Sequence, residues 1–158
     1  MLVYVAIAGL LALMGGFVYY ASLDNPKLEQ VEIQLKSVKV LNVNTVEERA
    51  QLEVTFLVRN PSDKTFTIPS ISYDLSVEGE RLGSGQYSTE DIAMPGRAAF
   101  YPDAEIPLKN SFSLVKAQVE PDIYNRIVNE QITSFSAEGV ITVESAWSIV
   151  EKEFKTSM

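Results

Sequence analysis

The chain changes its hydrophobic rhythm once, near residue 24. Residues 1–23, MLVYVAIAGLLALMGGFVYYASL, carry no charged side chain, and Asp24 is the first charge. At ~1.5 Å per residue such a segment spans about 34 Å as a helix, enough to cross a hydrocarbon core of about 30 Å once. From Leu28 onward apolar and polar residues alternate instead. Val31, Ile33 and Leu35 hold one phase and Val38 and Val40 the other, which predicts a β-bulge near Lys36–Ser37. Leu52, Val54, Phe56 and Val58 alternate up to Asn60-Pro61-Ser62-Asp63, and Ile71, Tyr73, Leu75 and Val77 make the next strand. Glu78-Gly79-Glu80 is a tight turn into a glycine-weakened strand, Leu82 to Tyr87. Residues 97–108 are β-like but carry Pro102 and Pro107, so an edge or interrupted strand is expected. Residues 110–119 are ambiguous, with another helical turn as one reading. Pro121 and Asp122 then open a short amphipathic helix through Ile123, Tyr124, Ile127, Val128 and Gln131. Two strands follow, one through Phe135 to Val143 and one through Trp147, Ile149, Glu151 and Glu153.

About seven strands with one late helix do not suit a parallel sheet, which needs helices between successive strands. The expected fold is all-β: an antiparallel β-sandwich with a short helix in its C-terminal half, preceded by a transmembrane helix. The organisation read from the sequence is an anchor at 1–23, a hinge at 24–27 and the sandwich domain at 28–158.

The leader fits an uncleaved anchor better than a signal peptide. No Lys or Arg precedes the apolar run, and Tyr19 and Tyr20 crowd the small-residue exit at Ala21 and Ser22. Tyr4 at one end and Tyr19 and Tyr20 at the other suit headgroup layers. Ala8, Ala12 and Gly16 recur every fourth residue as a smooth stripe that allows close helix packing, although small residues are also common in membrane helices generally. The expected partners are therefore the lipid bilayer and either a membrane protein or a second copy meeting this stripe. The charge bias, thin as it is, puts the soluble domain on the extracytoplasmic side of the cell membrane.

Composition narrows the chemistry. Among 158 residues there is no cysteine and no histidine, which removes thiol nucleophiles, serine–histidine relays, imidazole pH switches and the usual zinc, haem and iron–sulfur ligand sets. The formal charge of −8 and the lack of a basic cluster argue against nucleic-acid binding. Carboxylate chemistry remains, but Glu47-Glu48, Glu90-Asp91 and Glu151 with Glu153 lack calcium-loop spacing and read as a solvated acidic surface. Ser84, within Gly83-Ser84-Gly85, has no base nearby in sequence and no following helix to cradle a phosphate. No catalytic residue, cofactor or metal site is expected.

One stretch of residues is more specific. Asn60-Pro61 closing a strand, Phe66-Thr67-Ile68-Pro69, Ile71-Ser72-Tyr73-Asp74-Leu75 and then Gly83-Ser84-Gly85 resemble the water-stress and hypersensitive-response domain of late-embryogenesis-abundant type 2 proteins. Asn125 to Val128 and the last two strands continue the order, so the resemblance covers roughly 28–155. It implies a β-sandwich with a helix, membrane-tethered relatives, no enzyme, a link to stress protection and, for related domains, a lipid in an elongated groove. Within the motif, Asn60, Pro61, Ile68, Pro69, Tyr73, Gly83 and Gly85 read as structural residues. The aromatics Phe56, Tyr73, Phe135, Trp147 and Phe154 either fill the core or line such a groove. The function expected is a non-enzymatic, membrane-anchored binding or structural protein. A non-catalytic subunit of a larger membrane complex, a lipid-binding domain and a pilin-like polymer subunit are the alternatives.

Overall fold

The computed structural model describes residues 2–89 and 98–158. Among the described residues an apolar helix, α1 (Leu2–Ser22), leads through a one-turn helix, α2 (Asn25–Leu28), into eight strands. These are β1 (Glu32–Asn44), β2 (Arg49–Arg59), β3 (Phe66–Val77), β4 (Glu80–Ser88), β5 (Ala99–Phe100), β6 (Glu105–Val115), β7 (Phe135–Glu144) and β8 (Ile149–Ser157). Helix α3 (Pro121–Val128) lies between β6 and β7. Two antiparallel sheets result, one ordered β1-β2-β6 and the other β4-β3-β7-β8, with β5 extending the lane of β4 along the start of β3.

The alternation explains the layers. Leu52, Val54, Phe56 and Val58 of the central strand β2 face Ile71, Tyr73, Leu75 and Val77 of β3 and Ala137, Ile141 and Val143 of β7 across one continuous core. Phe56 sits at its middle, edge-on to Tyr73 at 4.9 Å and to Phe154 at 5.7 Å between ring centroids. The bulge expected near Lys36 is present between Leu35 and Ser37, and a second lies between Val40 and Asn42. The turn at Glu78-Gly79 has positive φ at both residues, 49° and 88°, as a two-residue hairpin of matching twist requires. Pro121 opens α3, and Ile123, Tyr124 and Ile127 are buried, as the helical spacing predicts.

The structure sharpens four expectations. The 97–108 segment is interrupted, as expected, at Tyr101–Ala104, where Pro102 cannot donate to a ladder; β5 falls in one sheet and β6 in the other, which makes eight strands among the described residues. Residues 110–115 pair with β2 as the second half of β6, so only Lys116–Gln118 turns helically. Gln131 falls beyond the end of α3. Residues 25–27 of the expected hinge are wound into α2, whose Leu28 is fully buried, as is Val31 just beyond it.

Candidate functional site

The end of the sandwich nearest α1 is organised around Asn60, which is fully buried. Its side-chain amide donates to the carbonyls of Lys64 at 2.7 Å, Phe100 at 2.9 Å and Tyr101 at 3.1 Å. Its side-chain oxygen accepts from the Ser62 amide at 3.0 Å and the Ser62 hydroxyl at 2.7 Å. The Asn60 main chain also bridges the two loops, donating to Ala104 and accepting from Asp103. One side chain thus ties the β2–β3 loop to the β5–β6 loop, which satisfies backbone groups that the strands have left behind. Pro61, with no N–H to offer, follows where the ladder has ended. Ile68 is buried, and Pro69 lies where the β3–β7 register slips between Thr67 and Ser70.

Further motif residues serve packing. Tyr73 pairs with Gly85 on one side and Gly139 on the other. A Cβ on Gly85 would meet the Tyr73 ring at 2.4 Å, so the ring occupies the space that glycine leaves. The Tyr73 hydroxyl accepts a hydrogen bond from Asn110 of β6 at 2.8 Å, closing the edge where β4 and β6 meet. Burial pushes the Tyr73 phenol up to about 12, against the smaller opposing effect of Asn110. Gly83 has a φ of 145° at the β3–β4 bulge and lies under Phe112. Ser84 donates to Asp74 at 2.7 Å and accepts from Arg81 at 2.7 Å on the outer sheet face. Arg81 and Ser84 together hold the Asp74 carboxyl below its usual range, so it is an acceptor of charge and hydrogen bonds, poorly suited to activating a nucleophile.

The α1 connection is fastened by contacts distant in sequence. Lys27 pairs with Asp63 at 2.7 Å and Lys64 with Asp24 at 3.1 Å, while Ser148 of the β7–β8 turn donates to Asn25. The Lys27 hydrogen bond lowers the Asp63 pKa, and the Asp24 hydrogen bond raises that of Lys64, with the nearby Tyr20 adding slightly. Exposed ion pairs contribute little each, so the burial of Leu28 and Val31 is the stronger fastening. Sequence reading missed this joint because its partners lie 36 residues apart or more.

Trp147 is corrected most sharply. It neither continues β8 nor enters the core; it stands on the β7–β8 turn, 64% exposed, with its ring edge-on to Phe17 of α1 at 5.7 Å. Ser145 and Ser148 on either side, with their turn chemistry, were the signal for a loop. Of the other aromatics, Phe56 and Tyr73 are core, Phe154 is half-buried against it, and Phe135 borders an apolar groove.

That groove lies at the opposite, distal end. Lys152 of β8 reaches the Val31 carbonyl and Thr156 accepts from the Leu35 amide, so the α1-proximal part of β1 lies against β8 along nearly the whole of that strand. β8 ends at Ser157 while β1 continues to Asn44, and beyond that end lies a groove of about 410 Å³ walled by Val38, Val40, Leu52, Ile127, Ile132 and Phe135.

Of the carboxylate pairs, Glu48 is bound to Lys116, and Glu151 and Glu153 are exposed on the outer face of β8. Glu90-Asp91 lies outside the described residues. Among the described residues no cluster of three or more acidic side chains could hold a metal ion. Ala8, Ala12 and Gly16 are exposed along α1, and a Cβ on Gly16 would meet nothing within 4 Å. Helix α1 and its continuation, Val3–Leu28, are long and apolar enough to cross a membrane.

No protein-family model matches the chain, and no curated protein matches it in sequence. Solved structures do match its fold. A solution structure of the Arabidopsis thaliana protein AT1g01470 aligns over 80% of each chain at 15% identity and a TM-score of 0.52. A candidate ApaA protein from Bordetella pertussis covers 82% of this chain and 92% of its own at 7% identity and a TM-score of 0.50. A candidate late embryogenesis abundant protein, At2g46140.1, covers 97% and 87% at 12% identity, with a looser TM-score of 0.47. At such identities the likeness is one of fold.

Proposed function

We propose that this chain is a non-enzymatic, single-pass membrane protein that holds a β-sandwich against the extracytoplasmic surface of the cell membrane and acts by binding. The observation that carries this reading is the joint: an uncharged helix of 21 residues runs through α2 directly into the core at Leu28 and Val31. Two features support binding over catalysis. The polar groups with catalytic potential are already engaged with one another, as in Ser84-Asp74-Arg81, and the central motif residue Asn60 is a buried strut. The resemblance of the Asn60–Gly85 segment to late-embryogenesis-abundant type 2 domains suggests stress protection as the setting. Membrane fractions washed at high salt and alkaline pH test the anchor. The full chain should stay in the pellet, and a chain lacking residues 1–23 should leave it. A full chain that washes free would overturn the reading, and protection of the domain from external protease on intact cells would overturn its placement outside.

The distal groove favours a second activity, capture of a lipid acyl chain. Its volume of about 410 Å³ falls within the ~300–1,000 Å³ typical of small-ligand sites, and Val38, Val40, Leu52, Ile127, Ile132, Phe135 and Met158 give it an apolar wall, with Lys39, Glu130 and Thr133 also lining it. Extraction of the purified protein with organic solvent should yield bound lipid, and Val40→Glu should abolish it. The stripe Ala8, Ala12 and Gly16 is the proposed contact for a membrane-protein partner or a second copy, as an accessory subunit of a larger complex would need. Gly16→Leu and Ala12→Leu should weaken association in mild detergent, whereas Leu13→Ile should not.

A further inference from the structure

We propose that the β7–β8 turn is a second membrane contact, with Trp147 seated in the lipid headgroup layer beside α1, so that the sandwich is held on the bilayer in one pose. The proposal rests on α1 being the membrane span. Its 21 residues give about 31 Å of helix, close to the thickness of the hydrocarbon core, so a span formed by α1 takes up the length of that helix. Phe17 precedes the last residue of α1 by five positions, about 7 Å along the axis. A ring 5.7 Å from Phe17 therefore cannot lie in open water above the bilayer; it lies at the depth where headgroups meet acyl chains. Indole prefers that layer, having an apolar body and one N–H donor. Ile149 and Leu23, both largely exposed at the same end, extend the apolar rim.

A loose tether would leave this depth undefined, but the joint is not loose. Asn25 of α2 is bonded to Ser148, the residue next to Trp147, and Lys27 and Asp24 are paired with Asp63 and Lys64 of the Asn60 loop. Those four charges compensate one another, so the contact should depend on the indole and little on lipid charge.

Trp147 is the single tryptophan of the chain, so its fluorescence reports on this turn alone. The full chain is reconstituted into phosphatidylcholine vesicles, and retention after an alkaline wash is scored alongside the spectrum. Since Trp147 is 64% exposed in the protein itself, shielding must come from lipid. The expected result is blue-shifted emission, iodide quenching several-fold weaker than for free tryptophan amide, and stronger quenching by lipids brominated high on the acyl chain than near its end. A chain retained in the vesicles but quenched by iodide like free tryptophan amide would overturn the second contact and leave the anchor standing. A chain lost in the wash would overturn both.

Discussion

The two ends of the sandwich are built on opposite principles. The end near α1 is polar and saturated: Asn60, Ser62 and two loops exchange hydrogen bonds until no buried side-chain polar atom among the described residues lacks a partner. The distal end is apolar and open, with β1 running on past the end of β8 and α3 lying beside a groove. In the proposed reading the closed end orients the domain at the membrane, where a specific hydrogen-bonded geometry is useful because it has one solution. The open end keeps apolar surface accessible, which a purely structural cap would have covered. Between them runs the shared core, and that division sets what substitutions should do.

The largest effect is expected where the ends meet. Phe56→Ala removes the ring at the middle of the core and should cost about 3–5 kcal/mol in denaturant unfolding, with both ends melting together. Loss of structure at only one end, seen by residue-resolved hydrogen exchange, would show that the ends fold independently. Asn60→Ala strips the closed end of its strut and leaves buried carbonyls unpaired, for a loss of roughly 3 kcal/mol. Exchange should rise at residues 60–64 and 101–104 before it rises around the groove; uniform acceleration would contradict a local hub.

Tyr73 provides a pH-dependent probe of the edge between the ends. Its folded pKa of about 12 exceeds the unfolded ~10, so the folded state binds the proton more tightly. Stability is full below about pH 10 and falls as pH rises toward 12, by roughly 2 to 3 kcal/mol. Tyr73→Phe should flatten that slope, and an unchanged alkaline slope would locate it elsewhere. At the open end, Ile132→Ala should cost about 2 kcal/mol, the low end for an aliphatic truncation, because one side of the groove is already empty. A larger cost would mean that the groove is packed shut in solution.

The smallest effect comes from exposed ion pairs. Lys27 holds the Asp63 pKa down at the closed end, as Arg126 does for Glu78 near α3. Depressed carboxylate pKa values contribute stability above the unfolded value, about pH 4, that is lost as pH falls through the folded value. A slight decline in Tm below pH 4, weaker in high salt, should appear and should shrink in Asp63→Asn.

Periodicity made much of this protein legible. The change from an uncharged run to alternation at residue 24 separated the apolar helix from the strands, and the phase slip after Leu35 located a bulge that the β1–β2 register contains. Gly79 in its turn and Pro121 at its helix start were readable for the same reason: each constrains its own backbone. The motif residue Asn60 was legible as a strand terminator, while its three carbonyl partners were not.

What only the tertiary structure decided was which distant pieces meet. The sequence by itself determined element types and buried faces, because these depend on spacing within a few residues. The joining of α2 to the Asn60 loop through Lys27–Asp63, the seating of the Tyr73 ring over Gly85, the groove between β1 and α3 beyond the end of β8 and the placement of Trp147 against Phe17 are all long-range choices. No local pattern encodes them, since exposed charges and a turn tryptophan leave the same trace in a sequence whether or not they find a partner. The order of strands across two sheets brings them together, and that order follows from burying every apolar face at once.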